Sequence, residues 1–149
     1  MQTRLPATVL ATASGRRADD ILRACVHCGF CNATCPTYLL TGDELDGPRG
    51  RIYLVKEMLE ADAPSQVARG HLDRCLTCRA CESTCPSGVA YGELAEIGRD
   101  FIEAKGARPL LERWVRRLFV QVLPAPRQLK FWSRLGGAFR WALPEHLAR

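Results

Sequence analysis

The chain has 149 residues, of which 47% are hydrophobic and 25% are charged, with a formal net charge of +5. This is a globular profile, and it does not indicate disorder, collagen or a coiled coil. It contains no run of about 18 apolar residues, so no membrane-spanning helix is expected. The positive charge belongs to one part of the chain: residues 1–105 contain 12 Lys and Arg against 14 Asp and Glu, whereas residues 106–149 contain 9 against 2.

The N-terminal residues 1–17, MQTRLPATVLATASGRR, combine one early arginine, a short apolar stretch and Pro6. A secretory signal peptide needs a longer apolar core and a stronger basic start. We therefore expect a frayed, partly helical tail without an export signal. Reduced thiols are the default for such a chain, and its expected location is the cytoplasm. A short helix over 17–25, RADDILRAC, is predicted to follow.

All eight cysteines lie in two short segments, CVHCGFCNATCP at 25–36 and CLTCRACESTCP at 75–86. Both segments have the spacing Cys-x2-Cys-x2-Cys-x3-Cys-Pro, and they are offset by 50 residues. Further residues match at this offset: Leu22 with Leu72, Thr34 with Thr84, Gly42 with Gly92, and Arg49 with Arg99. Two copies are too few for a solenoid, which needs at least three repeats. We therefore expect a pseudo-twofold pair of motifs that share one site.

The segment between the motifs is predicted to contain one loop and two helices. GDELDG at 42–47 is acidic, but Leu45 breaks the alternation that an EF-hand requires, so a solvated loop is expected. RIYLVKEMLEADA at 51–63 has helical periodicity that indicates core packing. Its apolar stripe consists of Ile52, Val55, Met58 and Leu59. Ser65 is in position to cap a second helix that runs to Arg74.

Helical patterns continue after the second motif. YGELAEIGRDFIEAK at 91–105 has one apolar stripe, formed by Leu94, Ile97, Phe101 and Ala104. LLERWVRRLFVQVL at 110–123 is amphipathic, and a second amphipathic piece starts at 127–143 after the PAP at 124–126. No segment has the alternation typical of a strand. The predicted fold is mainly α-helical, with an N-terminal tail at 1–17, a cysteine domain at 18–105 and a basic helical extension at 106–149.

The cysteine spacing favours iron–sulfur clusters over other uses of neighbouring thiols. Disulfides inside Cys-x2-Cys are strained and typical of catalytic thiols. Structural zinc favours two pairs of cysteines with a longer gap between the pairs. Three cysteines on one tight loop can instead reach three irons of a [4Fe-4S] cubane. The x3 spacing and the proline then turn the fourth cysteine away from that loop.

In two-cluster ferredoxins the fourth cysteine crosses over and binds the cluster of the other motif. The predicted ligands of cluster one are Cys25, Cys28, Cys31 and Cys85. The predicted ligands of cluster two are Cys75, Cys78, Cys81 and Cys35. Neither motif can complete its cluster alone, which accounts for the duplication. No catalytic residue is predicted on this chain, because it has no phosphate loop and no nucleophile set free of metal ligation.

Residues next to the cysteines are expected to adjust the clusters. Backbone N–H groups of the two loops are expected to bond the sulfurs. Two interpretations of Arg79 stay open: its charge stabilises the reduced state of cluster two, or it points to solvent near Glu82 and Asp73. His27 is not expected to be a ligand, since its cluster already has four cysteines.

Two longer segments extend the pattern well beyond the ferredoxin spacing: CVHCGFCNATCPTYLLTGDELDGPRGRIYLVKEMLE and HLDRCLTCRACESTCPSGVAYGELAEIGRDFIE. Together they resemble the iron–sulfur subunits of bacterial glycolate oxidase, over roughly residues 18–105. RPLLERWVRRLF resembles the next segment of that family more loosely. Family members continue into a longer cysteine-rich region, whereas no cysteine follows Cys85 in this sequence. A truncated product, a cloned fragment and a shortened relative are the open explanations.

The resemblance implies an α-helical ferredoxin domain in a complex whose flavin subunits oxidise glycolate to glyoxylate. FAD is expected on those partner subunits, and no substrate site is expected on this chain. The two [4Fe-4S] clusters are expected to accept electrons and pass them toward a quinone or another acceptor. The implied location is the cytoplasm or the cytoplasmic face of the inner membrane.

Two other functions are kept as alternatives. Similar modules serve lactate, glycerol-3-phosphate and heterodisulfide reductase-type complexes, so the electron donor could differ. Alternatively, the clusters are structural and the basic tail binds a partner subunit or a membrane surface, because arginines interleaved with Trp and Phe are typical of an interfacial helix. Nucleic acid is not an expected partner.

Overall fold

The structure is a computed structural model that describes residues 1–105 and 109–122, together with six single residues up to Arg134. The chain divides into two compact units, Met1–Ala107 and Arg108–Arg149, and each is described by itself. Within the described ranges all regular structure is helical and no strand is present, which confirms the predicted mainly α-helical fold. The α-helices in chain order are α1 Ala7–Leu10, α2 Ala13–Ala24, α3 Pro36–Thr41, α4 Pro48–Glu60, α5 Gln66–Asp73, α6 Ala80–Ser83, α7 Tyr91–Ala104 and α8 Leu110–Val122.

The N-terminal residues are ordered against the core, so the expectation of a frayed tail was wrong. Leu5 and Val9 are buried in the hydrophobic core. Helix α2 begins at Ala13, four residues before the predicted start, because the Thr12 hydroxyl caps it by accepting the Gly15 N–H at 2.9 Å. The apolar residues of this segment were read as too few for a signal peptide, and their use in the core was missed.

Helices α4 and α5 follow the pattern predicted for them. The stripe on α4 is buried as expected: Ile52, Val55, Met58 and Leu59. The helix starts with Pro48 in its first turn, where a missing N–H costs nothing. Ser65 caps α5 by accepting the Ala68 N–H at 3.2 Å. These two helices pack on each other and on α7.

Helix α7 buries a face that coincides only in part with the predicted stripe. Its buried side chains are Tyr91, Leu94, Ala95 and Ile102. Phe101 is only half-buried and Ala104 is exposed. The helix turns Gly98 toward α4 and α5, where a Cβ would lie 2.9 Å from Val55 Cγ2 and 3.3 Å from Leu72 Cδ1. Close approach at this glycine brings the Gly98 side of the helix into the core, while Ile97 and Phe101 are partly buried against it.

Helix α8 forms where it was predicted, in the second unit. Its side chains from Leu110 to Val120 include exposed Leu111, Trp114 and Leu118. The predicted last residue of this helix, Leu123, and most of the second amphipathic piece at 127–143 lie outside the described residues. Across the described part of the chain, no helix is both long enough and apolar enough to cross a bilayer.

Candidate metal centre

Both cysteine motifs fold into the same loop although their side chains differ. In the first motif, His27 and Gly29 have positive φ values of 61° and 88°. In the second, Thr77 and Arg79 occupy the matching positions with 56° and 57°. Non-glycine residues rarely adopt this region, so the repetition marks a specific loop rather than a chance turn. The backbone repeat is therefore closer than the sequence repeat at these positions.

The two motifs meet at a pair of matched threonines. The hydroxyl oxygens of Thr34 and Thr84 lie 3.3 Å apart. Both hydroxyls also lie within hydrogen-bond distance of the Ala80 carbonyl, at 3.3 and 3.2 Å. Because these residues are equivalent under the 50-residue offset, this contact lies where a pseudo-twofold axis relates the motifs. The motifs are thus neighbours around one centre rather than separate sites.

Two concave cavities hold the cysteines. The first encloses about 420 Å³ of empty space, part of it open to solvent, and is lined by Cys25, Cys28, Cys31 and Cys85. The second encloses about 290 Å³, also partly open to solvent, and is lined by Cys35, Cys75, Cys78 and Cys81. Cys81 also reaches the edge of the first cavity. The second cavity therefore combines three cysteines of one motif with the fourth cysteine of the other, whereas the first holds such a set together with Cys81. The crossover assignment of the ligands stays a prediction.

Each cavity has a buried side and a solvent side. Cys25, Cys35 and Cys81 are buried, whereas Cys28 and Cys78 are exposed. One exposed cysteine thus lies at the mouth of each cavity. This places one edge of each site at the protein surface, where an electron can enter or leave.

The acidity of the thiols is consistent with a site built for a cationic occupant. Burial raises the pKa of Cys25, and the neighbouring Cys85 and Cys28 act in the same direction. Burial and Cys31 raise the pKa of Cys81 to about 12. Thiolates crowded into these cavities repel each other unless positive charge is supplied, and bound iron supplies it while keeping the thiols deprotonated. The all-sulfur donor sets therefore fit iron–sulfur clusters.

Two cations hold the chain just before the two motifs. The Arg99 Nη2 donates to the carbonyls of Leu72 and Cys75 at 2.8 and 3.1 Å. At the equivalent carbonyls of the first motif, Leu22 and Cys25, the donor is the ammonium group of Met1. The accepting carbonyls are thus equivalent under the offset of 50 residues, but the two donors, Arg99 and Met1, are not. Both contacts fix the approach of the helix that leads into the first cysteine of each motif.

Asp46 is buried, so the solvated loop expected at 42–47 is exposed only at its start, at Gly42 and Asp43. The Asp46 side chain is 4% exposed and accepts hydrogen bonds from Arg74 Nε at 2.9 and 3.1 Å. His71 Nδ1 lies 2.8 Å from the same carboxylate. Burial alone would raise the pKa of Asp46, but the bonds to His71 and Arg74 outweigh it and lower the pKa. These partners are distant in sequence, and the local pattern held no signal for them.

Arg51 is a second residue that the sequence analysis missed. Its side chain is 1% exposed, and its Nη1 lies 4.0 Å from Cys35 Sγ. The Nε donates to the His71 carbonyl at 2.7 Å and Nη1 donates to Thr37 Oγ1 at 3.1 Å. A signal was present, since Arg51 shares the helical stripe of Val55, Met58 and Leu59. An arginine on the buried stripe of a helix needs buried partners.

The structure also places Arg79 and His27. Arg79 is about half exposed, and its Nη2 pairs with Glu96 Oε1 at 3.0 Å instead of with Glu82. Glu82 accepts the Gly92 N–H at 2.6 Å. The His27 Nε2 lies 3.2 Å from the Arg49 carbonyl, so this ring nitrogen is engaged with the backbone.

Comparison with known proteins agrees with these cavities. Residues 21–89 match the family model of the 4Fe-4S dicluster domain. This match lies within a longer similarity: the chain is 55% identical over 147 residues to the glycolate oxidase iron-sulfur subunit of Escherichia coli (strain K12), covering 99% of this chain and 36% of the relative.

A second relative is more distant. The probable glycolate oxidase iron-sulfur subunit of Bacillus subtilis (strain 168) is 37% identical over 149 residues, covering 89% of this chain and 34% of the relative. The chain therefore spans about a third of the length of both curated relatives.

Proposed function

We propose that this chain belongs to the iron–sulfur subunit of a glycolate oxidase complex and relays electrons from a flavin on partner subunits toward a quinone or another acceptor. The observation that carries the proposal is the pair of cavities lined by cysteines of both motifs, in a segment that matches the family model of the 4Fe-4S dicluster domain. The similarity to two subunits named for glycolate oxidase supports the choice of complex. The proposed location is the cytoplasm or the cytoplasmic face of the inner membrane.

The proposed ligand sets follow the cavity linings. Cluster one takes Cys25, Cys28, Cys31 and Cys85, and cluster two takes Cys75, Cys78, Cys81 and Cys35. When bound, such clusters supply one-electron redox chemistry. The chain itself holds the thiolates in place and keeps water from Cys25 and Cys35, which are buried. It leaves Cys28 and Cys78 at the surface, next to which an electron donor or acceptor can dock.

The organic reaction is assigned to the partner. Oxidation of glycolate to glyoxylate removes two electrons and two protons, which FAD on the flavin subunit takes up together. This chain then passes the electrons on singly, and no residue of it needs to touch the substrate. Its part in the enzyme is that of an electron-transfer subunit.

The first test is the metal content of the protein purified without oxygen. About eight iron and eight sulfide per chain are expected, with interacting S = 1/2 EPR signals after dithionite reduction. Bound zinc, or a folded protein without metal, would contradict the two-cluster proposal.

The second test is the source of electrons. Glycolate is expected to reduce the clusters only when the flavin subunits are present. Lactate and glycerol-3-phosphate, offered to the same co-purified complex, are the competing substrates, and faster reduction by either would replace glycolate in the proposal. Reduction by glycolate without any flavoprotein would overturn the division of roles.

Contact of the basic extension with a membrane surface is a secondary proposal for the acceptor side. Helix α8 exposes Trp114 and Leu118, and it carries three arginines, Arg113, Arg116 and Arg117. Flotation with anionic vesicles is expected to be stronger at low salt than at high salt. Absence from the lipid fraction at both salt concentrations would remove this contact from the proposal.

A further inference from the structure

We propose that Arg51 is a positioning residue that raises the reduction potential of cluster two. This inference rests on the proposed function, because it assumes that the second cavity holds a [4Fe-4S] cluster. Arg51 is within reach of that cavity through the crossover cysteine Cys35, and it lines the cavity wall. Reduction adds one negative charge to a cluster, so a fixed positive charge next to a ligand favours the reduced state.

The position of Arg51 is defined by contacts on three sides. Its guanidinium donates to the carbonyl of His71 and to the hydroxyl of Thr37, and it lies 4.0 Å from Cys35 Sγ. Thr37 Oγ1 in turn lies 3.2 Å from Cys35 Sγ. The charge and the hydroxyl therefore approach the same sulfur. With the side chain 1% exposed, the charge of Arg51 is weakly screened by solvent.

The nearest carboxylate compensates Arg51 only in part. The distance from Arg51 Nη2 to Asp46 Oδ1 is 3.4 Å. Arg74 is closer, with its Nε at 2.9 and 3.1 Å from the two oxygens of Asp46. One carboxylate thus faces two guanidinium groups, which leaves net positive charge beside Cys35. Arg74 is half exposed and does not line the cavity. Arg79 does line it, but it is half exposed and paired with Glu96, so Arg51 is the buried arginine of the cavity wall.

Arg49 is a matched control at the other cavity. It is the same residue type two positions earlier in α4, and it lines the first cavity beside Gly29. It pairs directly with Glu44, and about a third of its side chain is exposed. Its charge is therefore balanced and screened, and it does not reach the second cavity.

The experiment is an EPR-monitored redox titration of the full chain, loaded with clusters, in four variants. Arg51→Met is expected to lower the midpoint potential of cluster two by at least about 59 mV, which is a tenfold change in its ratio of oxidised to reduced form. Arg51→Lys keeps the charge and is expected to retain most of the potential. Arg49→Met is expected to leave cluster two unchanged. The signal of cluster two is assigned with Cys78→Ser, which alters one of its ligands.

Asp46→Asn tests the inference through a shift of the reduction potential of cluster two in the opposite direction. Removal of this negative charge leaves Arg51 in place and less compensated, so the potential of cluster two is expected to rise. A purely structural role of Arg51 predicts no such pair of opposite shifts. If Arg51→Met fails to hold iron, Asp46→Asn and Arg51→Lys decide the question.

Three outcomes overturn the inference. The first is an unchanged potential of cluster two in Arg51→Met with full iron content, and the second is a potential that does not rise in Asp46→Asn. The third is a potential in Arg51→Lys as low as that expected for Arg51→Met. Iron and sulfide counts on the unaltered protein separate these failures from failure of the proposed function. A chain without two cubanes would refute the proposed function. A chain with both cubanes and insensitive potentials would refute only the role of Arg51.

Discussion

At the scale of single residues, Cys35 and Cys85 determine how the two motifs share their thiols. Each is the fourth cysteine of its motif, separated from the third by three residues, and each precedes a proline. Cys85 lines the cavity of the first motif, and Cys35 lines the cavity of the second. The exchange makes each proposed cluster depend on both halves of the domain, so pairs of substitutions can report which cysteines belong together.

Double substitutions of Cys85 distinguish the crossover from a local arrangement. Cys85→Ala combined with Cys25→Ala is expected to damage one cluster and to leave about four iron per chain. Cys85→Ala combined with Cys75→Ala is expected to damage both clusters and to leave almost none. Iron analysis and EPR of the two double variants make the measurement.

The matched set combines Cys35→Ala with the same two substitutions, Cys75→Ala and Cys25→Ala, and their expected effects are exchanged. Combined with Cys75→Ala it is expected to spare one cluster, and combined with Cys25→Ala it is expected to remove both. The reverse pattern of iron retention in either set would show that each motif binds its own cluster.

Residue-scale prediction from the sequence succeeded where the relevant spacing is short. The three closely spaced cysteines of each motif line one cavity, as their spacing indicates. The network around Asp46 was not predicted, because His71 and Arg74 follow it by 25 and 28 residues. Nothing in a local pattern pairs an acidic loop residue with a helix that far along the chain. The assignment of the eight ligands stays a prediction.

At the scale of helices, replacing either of two helical glycines with alanine is expected to change stability, but in opposite directions. Gly50 lies in the first turn of α4, where an added Cβ would overlap the backbone carbonyl of Glu44. Gly70 lies inside α5, where a Cβ would meet only Arg74 Nη1, at 3.9 Å. A helix prefers alanine to glycine, so the sign of each substitution depends on the space available.

We expect Gly50→Ala to destabilise the domain by about 1–3 kcal/mol, because backbone must move to accommodate the methyl group. Gly70→Ala is expected to stabilise it by about 0.5–1 kcal/mol through lower entropy of the unfolded chain. Thermal loss of the visible cluster absorption, recorded without oxygen, measures both. Equal effects of the two substitutions would show that local packing at Gly50 is looser than described.

Ser65 provides a separate test of helix α5. Ser65→Ala removes the hydroxyl that accepts the Ala68 N–H and is expected to cost about 1 kcal/mol. For a domain near 100 residues this corresponds to a fall in Tm of about 4–8 °C. Ser14→Ala is the control, since Ser14 is exposed in the first turn of α2, where the Thr12 hydroxyl is the group that accepts the capping N–H. A control that fell as far as Ser65→Ala would argue against the cap.

A helix boundary was predictable where a capping residue marks it, as at Ser65. The start of α4 at Pro48 was placed three residues too late, at 51. The start of α2 was missed because Thr12 follows an apolar stretch that the sequence analysis did not assign to the core. The buried face of α7 was missed in part for a different reason. Its apolar residues cover more than one stripe, and the close approach at Gly98 selects between them.

At the scale of the whole molecule, the cysteines and the hydrophobic core lie in one unit. All eight cysteines and the core cluster fall within residues 1–105, inside the unit Met1–Ala107. The core joins α2, α4, α5 and α7 with the N-terminal Leu5 and Val9. The second unit contributes no cysteine.

A chain shortened to residues 1–105 is therefore expected to keep about eight iron and the EPR signals of the longer chain. Metal analysis and EPR of both chains, prepared side by side without oxygen, make the comparison. The longer chain is the control. A shortened chain that folds but loses iron would show that the extension supports the clusters.

The position of Cys85 at the first cavity has a consequence for biosynthesis. A ribosome adds residues from Met1 onward, so three cysteines of the first cavity are synthesised well before the fourth, Cys85. For the second cavity, Cys35 is synthesised first and the three cysteines of the second motif follow much later. The two sets are completed by Cys81 and Cys85, only four residues apart. Both sites thus become able to accept a cofactor at nearly the same moment of translation, and a nascent chain that stops before Cys81 has no full set of four thiols to load.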